Sequence, residues 1–383
     1  MTAILQTHRR QIWQHFDILL LASVSMLVIV GITMIRSTTF ESPELAELPF
    51  VQIRWAFIGL TALFVTAAID YRYWRSLARP MYIFAILALL VVAAFGVVQG
   101  GAQRWADVFG LPVQPSEIAK IGTILWTADF VYRNREKIKN FRWVLVSLAM
   151  SGIPAALVLL EPNLSTALII MIIWFAIMFT AGLHWKHLAI LAALGAALVL
   201  LVLAITFNLI SIPGFPLEDY QRERIIRFIF PDSDPGAQYN VLQALISIGS
   251  GGLFGEGYNH ASQVNLRFLK VRHTDFIFSS LSAEFGFVGA LVLIAVICLV
   301  LFRILRIARS TPDPFGALIC YGVAAMMFYQ SFFNMGMNMN LLPVTGLPLP
   351  FVSYGGSALV SYMFAIGLVE SVALRRKETE YGT

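Results

Sequence analysis

The segment Lys270-Val271-Arg272-His273-Thr274-Asp275 gathers two cations, an imidazole and a carboxylate directly before an apolar run, Phe276-Ile277-Phe278-Ser279-Ser280-Leu281-Ser282-Ala283-Glu284-Phe285-Gly286. Asp275 stands where the charge stops. A carboxylate at the border of water and lipid can face a wet mouth while its helix stays anchored. Within hydrogen-bond reach of a hydroxyl, it can take that proton as a general base. The plainer reading gives Asp275 or Thr274 the work of capping the helix that follows. Glu284 lies roughly 13 Å further along the same helix, inside the bilayer, where a carboxylate needs a partner or water. An ion pair with an arginine or lysine of a neighbouring helix would meet that need.

A second cluster precedes it: Gly100-Gly101-Ala102-Gln103-Arg104-Trp105-Ala106, then Val113-Gln114-Pro115-Ser116-Glu117-Ile118-Ala119-Lys120. Pro115 suits a first helical position, and Glu117 then sits in the first turn, where the helix dipole favours a carboxylate. Lys120 shares its face. This is either a helix start with one ion pair, or an ionisable pair near membrane depth with a functional role. The run Gly249–Gly257 has the glycines of a phosphate-cradling loop. No strand precedes it and no Gly-Lys-Ser/Thr follows, so a tight turn is the better reading. From Asn334 to Ser357, Pro343, Pro348 and Pro350 exclude a regular helix. Apolar, irregular backbone at a membrane edge must be buried in protein or line a wet cavity, which predicts a groove wall. His273 and Asp275 offer two metal ligands, too few for a site signal.

The elements that position these residues follow from composition. The chain of 383 residues is 58% hydrophobic and only 13% charged, against roughly a quarter charged in soluble domains. Hydropathy predicts about ten spanning helices, near 16–35, 50–69, 80–98, 115–131, 143–160, 164–182, 187–207, 275–301, 315–337 and 355–373. The fold expected is an all-α polytopic membrane protein, residues 1–383 forming one integral membrane domain. The alternation of a membrane barrel is absent. The fourth span is the least apolar, because Glu117, Lys120 and Asp129 interrupt it.

With the N-terminus inside, alternate connections carry the cations. They are Arg72, Arg75 and Arg79; Arg133, Arg135, Lys137, Lys139 and Arg142; Lys186; Arg303, Arg306 and Arg309; and Arg375, Arg376 and Lys377. The first outside loop carries Glu41, Glu44 and Glu47. This positive-inside pattern puts both termini in the cytoplasm and the loop 208–274 outside, between the seventh and eighth helices. That loop holds Arg222, Arg224, Arg227, Arg267, Lys270 and Arg272, for solvation or for an anionic ligand or lipid phosphate. Within it Tyr239–Ile248 reads as an amphipathic helix stopping at Gly249. Residues 1–15, with Arg9, Arg10, Ile12 and Trp13, read as an interfacial piece, and the first span as a permanent anchor rather than a cleaved signal. Cys298 and Cys320 lie in apolar runs and read as small buried side chains.

Five stretches together resemble the SEDS family (shape, elongation, division and sporulation) of bacterial cell-wall polymerases, the RodA and FtsW type. They are Gly101–Trp105, Gln114–Lys120, Gly249–Gly257, His273–Phe278 with Ala283-Glu284, and Leu342–Ser357, in family order and spanning nearly the whole chain. A short cytoplasmic tail makes the elongation type, RodA, the better match. The resemblance implies a polymerase of lipid II in the bacterial plasma membrane, acting on the outer face in elongation and rod shape. It would transfer disaccharide-pentapeptide units from undecaprenyl pyrophosphate, turning an α-linked donor into a β-1,4 link. It implies that Asp275 is essential, and as a carboxylate within reach of the acceptor hydroxyl Asp275 is the candidate catalytic base. Arg104, Trp105, Glu117 and Lys120 line the substrate cavity, joined as candidate substrate-binding residues by Glu284 and Ser357. Lys120 and Arg104 would stabilise the leaving pyrophosphate. Trp105 would stack on a sugar, guard the mouth, or anchor the interface. A divalent cation, magnesium or manganese, is a candidate cofactor, with Glu117 orienting Lys120 or holding it. No organic cofactor and no protein-held metal site are expected. Partners implied are lipid II, the nascent glycan strand, membrane lipid and a class B penicillin-binding protein, and no nucleic acid. Two other function classes fit a polar-lined bundle: a lipid II flippase, and a non-catalytic scaffold that activates a transpeptidase.

Overall fold

The computed structural model describes residues 15–376, apart from 41, 100–101, 109–110, 162, 211–221, 223–225, 227–229, 231–234, 267 and 270. The expected interfacial piece at 1–15 therefore lies almost wholly outside the described residues. So do Arg224, Arg227, Arg267, Lys270 and Lys377. Each of the ten expected spans coincides with a helix: α1 (Ile18–Thr39), α2 (Leu48–Ala68), α3 (Tyr71–Phe95), α4 (Pro115–Arg133), α5 (Phe141–Leu160), α6 (Leu164–Thr180), α7 (Trp185–Thr206), α10 (Ile277–Ser310), α11 (Pro314–Asn338) and α12 (Gly356–Arg375). Eight of these are long and apolar enough to cross a membrane; α6 is shorter and α4 is more polar. In the long loop α8 (Pro235–Ser250) covers the expected amphipathic segment, followed by the short α9 (Ser262–Asn265).

Capping residues set the helix starts. Asp17, Asp70, Asn140, Asn163 and Asp313 each accept from an amide of the first turn that follows. Such a cap is worth about 1 kcal/mol. Arginines close several helix ends, where the last carbonyls lack partners. Arg375 donates to Ala67 and Ala68 at the end of α2, and Arg222 donates to Thr206 at the end of α7. Arg272 is buried and donates to Thr38 at the end of α1 and to the Ser42 hydroxyl. Two cations of the long loop thus tie down helix ends rather than solvate it.

α4 looks poorly apolar because it sits at the centre. It packs against α3, α6, α11 and α12, and most of its residues are buried. Its charges are cancelled locally: Glu117 by Lys120, and Asp129 by Arg133 and Arg75. α12 lies along α2, and α11 lies against α6 and α10. Beyond Lys186 and His187 α7 is almost wholly apolar, and Thr206 is its one buried residue. Both cysteines are free, and Cys298 is exposed rather than buried, which corrects the expectation for that residue.

Two departures concern the outer segments. The stretch read as the tail of the third span is a strand. β1 (Val97–Gln99), β2 (Ala102–Val108) and β3 (Leu111–Val113) form an antiparallel sheet in the order β1-β2-β3, pairing Val97 with Trp105 and Ala106 with Val113. The Gly100-Gly101 dipeptide between two short runs is the hairpin signal. The second departure is α10, 34 residues long and broken at Gly286, where φ is 66° and ψ is −164°. At about 1.5 Å per residue it is roughly 50 Å long, well beyond a hydrocarbon core of about 30 Å.

Candidate active site

Asp275 sits in the turn just ahead of α10, and it does not cap that helix. The cap position is Phe276. The amide of Ser279, in the first turn, donates to Asn338 Oδ1 at 3.1 Å. Asn338 also accepts from the Ser279 hydroxyl at 2.6 Å and donates to the peptide carbonyl of Asp275 at 2.9 Å. Asn334, one turn earlier on α11, donates to the same carbonyl at 3.0 Å and to the Leu347 carbonyl at 2.7 Å. Both asparagines are fully buried. Two amides on one face of an apolar helix therefore fix the backbone that carries Asp275.

The irregular segment 339–355 braces Asp275 from the other side. The Ser353 hydroxyl donates to the Thr274 carbonyl at 2.7 Å, and the Tyr354 amide to the His273 carbonyl at 3.0 Å. The His273 ring meets Tyr354 edge-on. Burial pushes the His273 imidazole down, and the Arg272 guanidinium pushes it further. A Cβ built on Gly346 would lie 3.7 Å from Asp275 Oδ2, so the carboxylate rests over this glycine. Replacing Asn338 by leucine should strand the Ser279 amide and leave the Asp275 carbonyl held by Asn334 alone. Each buried unpaired group costs about 1–3 kcal/mol. We expect a lowered melting temperature, and a larger fall in turnover than in substrate affinity.

Glu117 and Lys120 form the second part. Lys120 Nζ lies 2.8 Å from Glu117 Oε2. At that separation the pair is ionic. Lys120 is 0% exposed, and its ammonium sits 5.3 Å from the centre of the Tyr362 ring. Glu117, with Gln114, Ser357 and Ser361, supplies the polar points of an otherwise apolar cavity of about 260 Å³, walled by Trp55, Met81, Ile121, Val360 and Phe364. Asp275, Arg104, Trp105 and Lys120 do not line it, and of the segment expected as a groove wall only Ser357 does. Breaking a buried pair by removing one partner costs about 3–5 kcal/mol, because a charge is left uncompensated. Lys120→Met should therefore destabilise strongly, and adding Glu117→Gln should recover most of the loss in melting temperature.

Arg104 and Trp105 lie on β2, both half-buried. Arg104 Nε donates to the peptide carbonyl of Glu161, at the end of α5, at 2.8 Å. Glu161 was not legible as a site residue. Just beyond it, Ser165 on α6 donates to the Thr345 carbonyl at 2.7 Å, next to the glycine beneath Asp275. The α5–α6 connection thus bridges from Arg104 to the Asp275 platform.

Glu284 stands apart from this group. Its carboxylate accepts from the Ser37 hydroxyl on α1, and among the described residues it forms no ion pair. Its peptide carbonyl accepts from the Gly257 amide at 3.0 Å, and that of Ala283 from Glu256 at 2.9 Å. Beyond the break, the amides of Phe287 and Val288 donate to the carbonyls of Gly252 and Leu253 at 2.9 and 3.1 Å. The glycine run is more than a tight turn: it is a backbone-to-backbone lock on the break in α10. Glu284 belongs to that lock, which corrects its reading as one half of an ion pair.

A family model described as "Cell cycle protein", covering FtsW, RodA and SpoVE, matches residues 13–378. The chain belongs to this family. It is 37% identical over 375 residues to the peptidoglycan glycosyltransferase MrdB of Escherichia coli K12, covering 97% of both chains. It is 31% identical to the stage V sporulation protein E of Bacillus subtilis, covering 93% of this chain and 96% of that one. Among solved structures it resembles a chain of a peptidoglycan synthase complex that coordinates polymerization and crosslinking, with a TM-score of 0.80, 30% identity, and coverage of 94% and 98%. It also resembles the rod shape determining protein RodA of Thermus thermophilus, with a TM-score of 0.70, 29% identity, and coverage of 95% and 98%. This member of the SEDS family is a multi-pass membrane protein. Its donor set does not fit a cation caged by the protein alone: among the described residues no three of His, Cys, Asp and Glu come together, and Glu117 is committed to Lys120.

Proposed function

We propose that this chain is a peptidoglycan glycosyltransferase that polymerises lipid II at the outer face of the bacterial plasma membrane, in elongation and the maintenance of rod shape. The observation that carries the reading is the mounting of Asp275, whose backbone is pinned by Asn334 and Asn338 while its side chain lies over Gly346. Family membership supplies the chemistry to be explained, since the similar MrdB is named a peptidoglycan glycosyltransferase.

The reaction joins an acceptor sugar hydroxyl to the anomeric carbon of a lipid-linked donor. Inversion requires the hydroxyl to approach opposite the leaving group. Asp275 accepts the hydroxyl proton as the new C–O bond forms and the bond to the pyrophosphate oxygen breaks. A positioned base typically contributes 10²–10⁴-fold, roughly. Pyrophosphate leaves without a strong acid, so the remaining need is positive charge near it. Arg104 meets that need better than Lys120, which is sealed against Glu117 and Tyr362. Lys120 acts through Glu117, holding its carboxylate at the wall of the apolar cavity. That cavity suits the apolar part of a lipid-linked substrate, with Glu117 and Ser357 marking its polar rim. Trp105, half-buried beside Arg104, offers a flat face to a sugar.

A class B penicillin-binding protein is the partner proposed, in keeping with the synthase complex among the similar structures. A flippase is less favoured, because transporters place their sites near the midplane. By the positive-inside pattern of the connecting cations, the candidates belong to the outer ends. Proteoliposomes with lipid II confined to the leaflet touched by the Asp275 end should yield glycan polymer. Polymer formed only from the opposite leaflet, or translocation without polymer, would overturn the reading.

A further inference from the structure

Glu161 has no part in the reaction as described, yet it is unusual in its surroundings. It is 1% exposed, and neither side-chain oxygen has a hydrogen-bond partner. Among the described residues no other carboxylate has both oxygens buried and unpartnered. A buried polar group left unpaired is costly, so its retention needs a reason. The reason lies beside it: Arg104 of β2 is anchored through Nε to the peptide carbonyl of this same residue. The other elements around it bring little charge. α6 begins Asn163, Leu164, Ser165, the segment 343–347 holds no titratable side chain, and α4 offers Glu117 already neutralised by Lys120.

We propose that Glu161 is a positioning residue for Arg104: its carboxyl and its own peptide carbonyl form a two-part seat for the guanidinium, and the proton on that carboxyl sets how much positive charge remains for the diphosphate of a lipid-linked donor. This rests on the reading of Arg104 as the diphosphate-binding group. Burial pushes the Glu161 carboxyl up to about 7, and Arg104 pulls it back down in part. Below that value the carboxyl is neutral and draws least on the charge of Arg104. Above it the carboxylate draws on the same guanidinium and weakens the hold on an anion. Solvent screening at a half-buried guanidinium keeps the effect modest, and a change of about fivefold in KM is the expected scale.

The test measures kcat and KM for lipid II from pH 6 to pH 8.5, in the full chain with its transpeptidase partner. Wild type should lose affinity as pH rises, KM climbing about fivefold. Glu161→Gln should flatten that rise and show a lower KM than wild type at pH 8.5. Glu161→Asp, which keeps a titrating group, should retain a pH-dependent KM. Arg104→Gln should raise KM at every pH. If Arg104→Gln raises KM while Glu161→Gln keeps the wild-type rise, the seat is refuted and the diphosphate reading survives. If Arg104→Gln leaves KM untouched, the diphosphate reading itself is refuted, and the seat with it. Should Glu161→Gln fold poorly, the Glu161→Asp profile decides: a pH-independent KM there overturns the proposal.

Discussion

Asp275→Asn should abolish glycan polymerisation from purified lipid II while leaving the protein folded. The amide keeps the size and most of the hydrogen bonding of the carboxylate, but it cannot accept the acceptor's proton. Because Asn334 and Asn338 hold the peptide carbonyl of Asp275 and not its side chain, the substitution does not disturb the mounting. The start of α10 is equally indifferent, since its Ser279 amide bonds to Asn338. Turnover should fall by about 10²–10⁴-fold, the usual worth of a positioned base. Melting temperature and lipid II binding should stay near wild type. Residual activity within tenfold of wild type would remove Asp275 as the base.

The largest stability effect should come from Gly255→Ala. At Gly255 φ is 83°, and a Cβ would lie 2.1 Å from the Glu284 carbonyl oxygen and 2.3 Å from its carbon. Neither atom can step aside, because they belong to the backbone of α10 just before its break. The left-handed conformation costs a non-glycine residue roughly 1–3 kcal/mol, and overpacking adds about as much. A loss of about 3–5 kcal/mol follows. The lock of the glycine run on α10 should open with it, so the melting temperature should drop and protease should cut near 249–260. A melting temperature within 2 °C or so of wild type would mean that the lock is not a stability element.

The spans were legible because each needs a long apolar run and because the cations between them fall on alternate connections. α4 was the exception for a physical reason. A helix buried on all sides by protein can carry Glu117, Lys120 and Asp129 once their charges are paired, so its hydropathy understates its depth. Asp275 stood out because charge meets apolar sequence there. Its support did not. Asn334 and Asn338 are spaced by one helical turn in an otherwise apolar segment, but polar side chains one turn apart on a helix have many other uses. Glu161 sits between Leu160 and Pro162 at a helix end, where an exposed carboxylate is ordinary; its contact with Arg104 of β2 comes from tertiary packing, which the local sequence does not announce. The lock between Gly249–Gly257 and residues 282–288 was invisible, because backbone hydrogen bonds leave no side-chain pattern. The sheet at 97–113 was lost for a similar reason, its first strand being apolar enough to pass for the end of a span.

The central claim is that Asp275, mounted at the outer end of the bundle, catalyses transfer between lipid-linked sugars. The measurement that meets it most directly is the fate of labelled lipid II given to the purified chain, alone and then with a class B penicillin-binding protein. The account predicts a ladder of glycan strands, one pyrophosphate leaving group released per new linkage, and none of either from Asp275→Asn. Lipid II left unpolymerised both with and without the partner would contradict it.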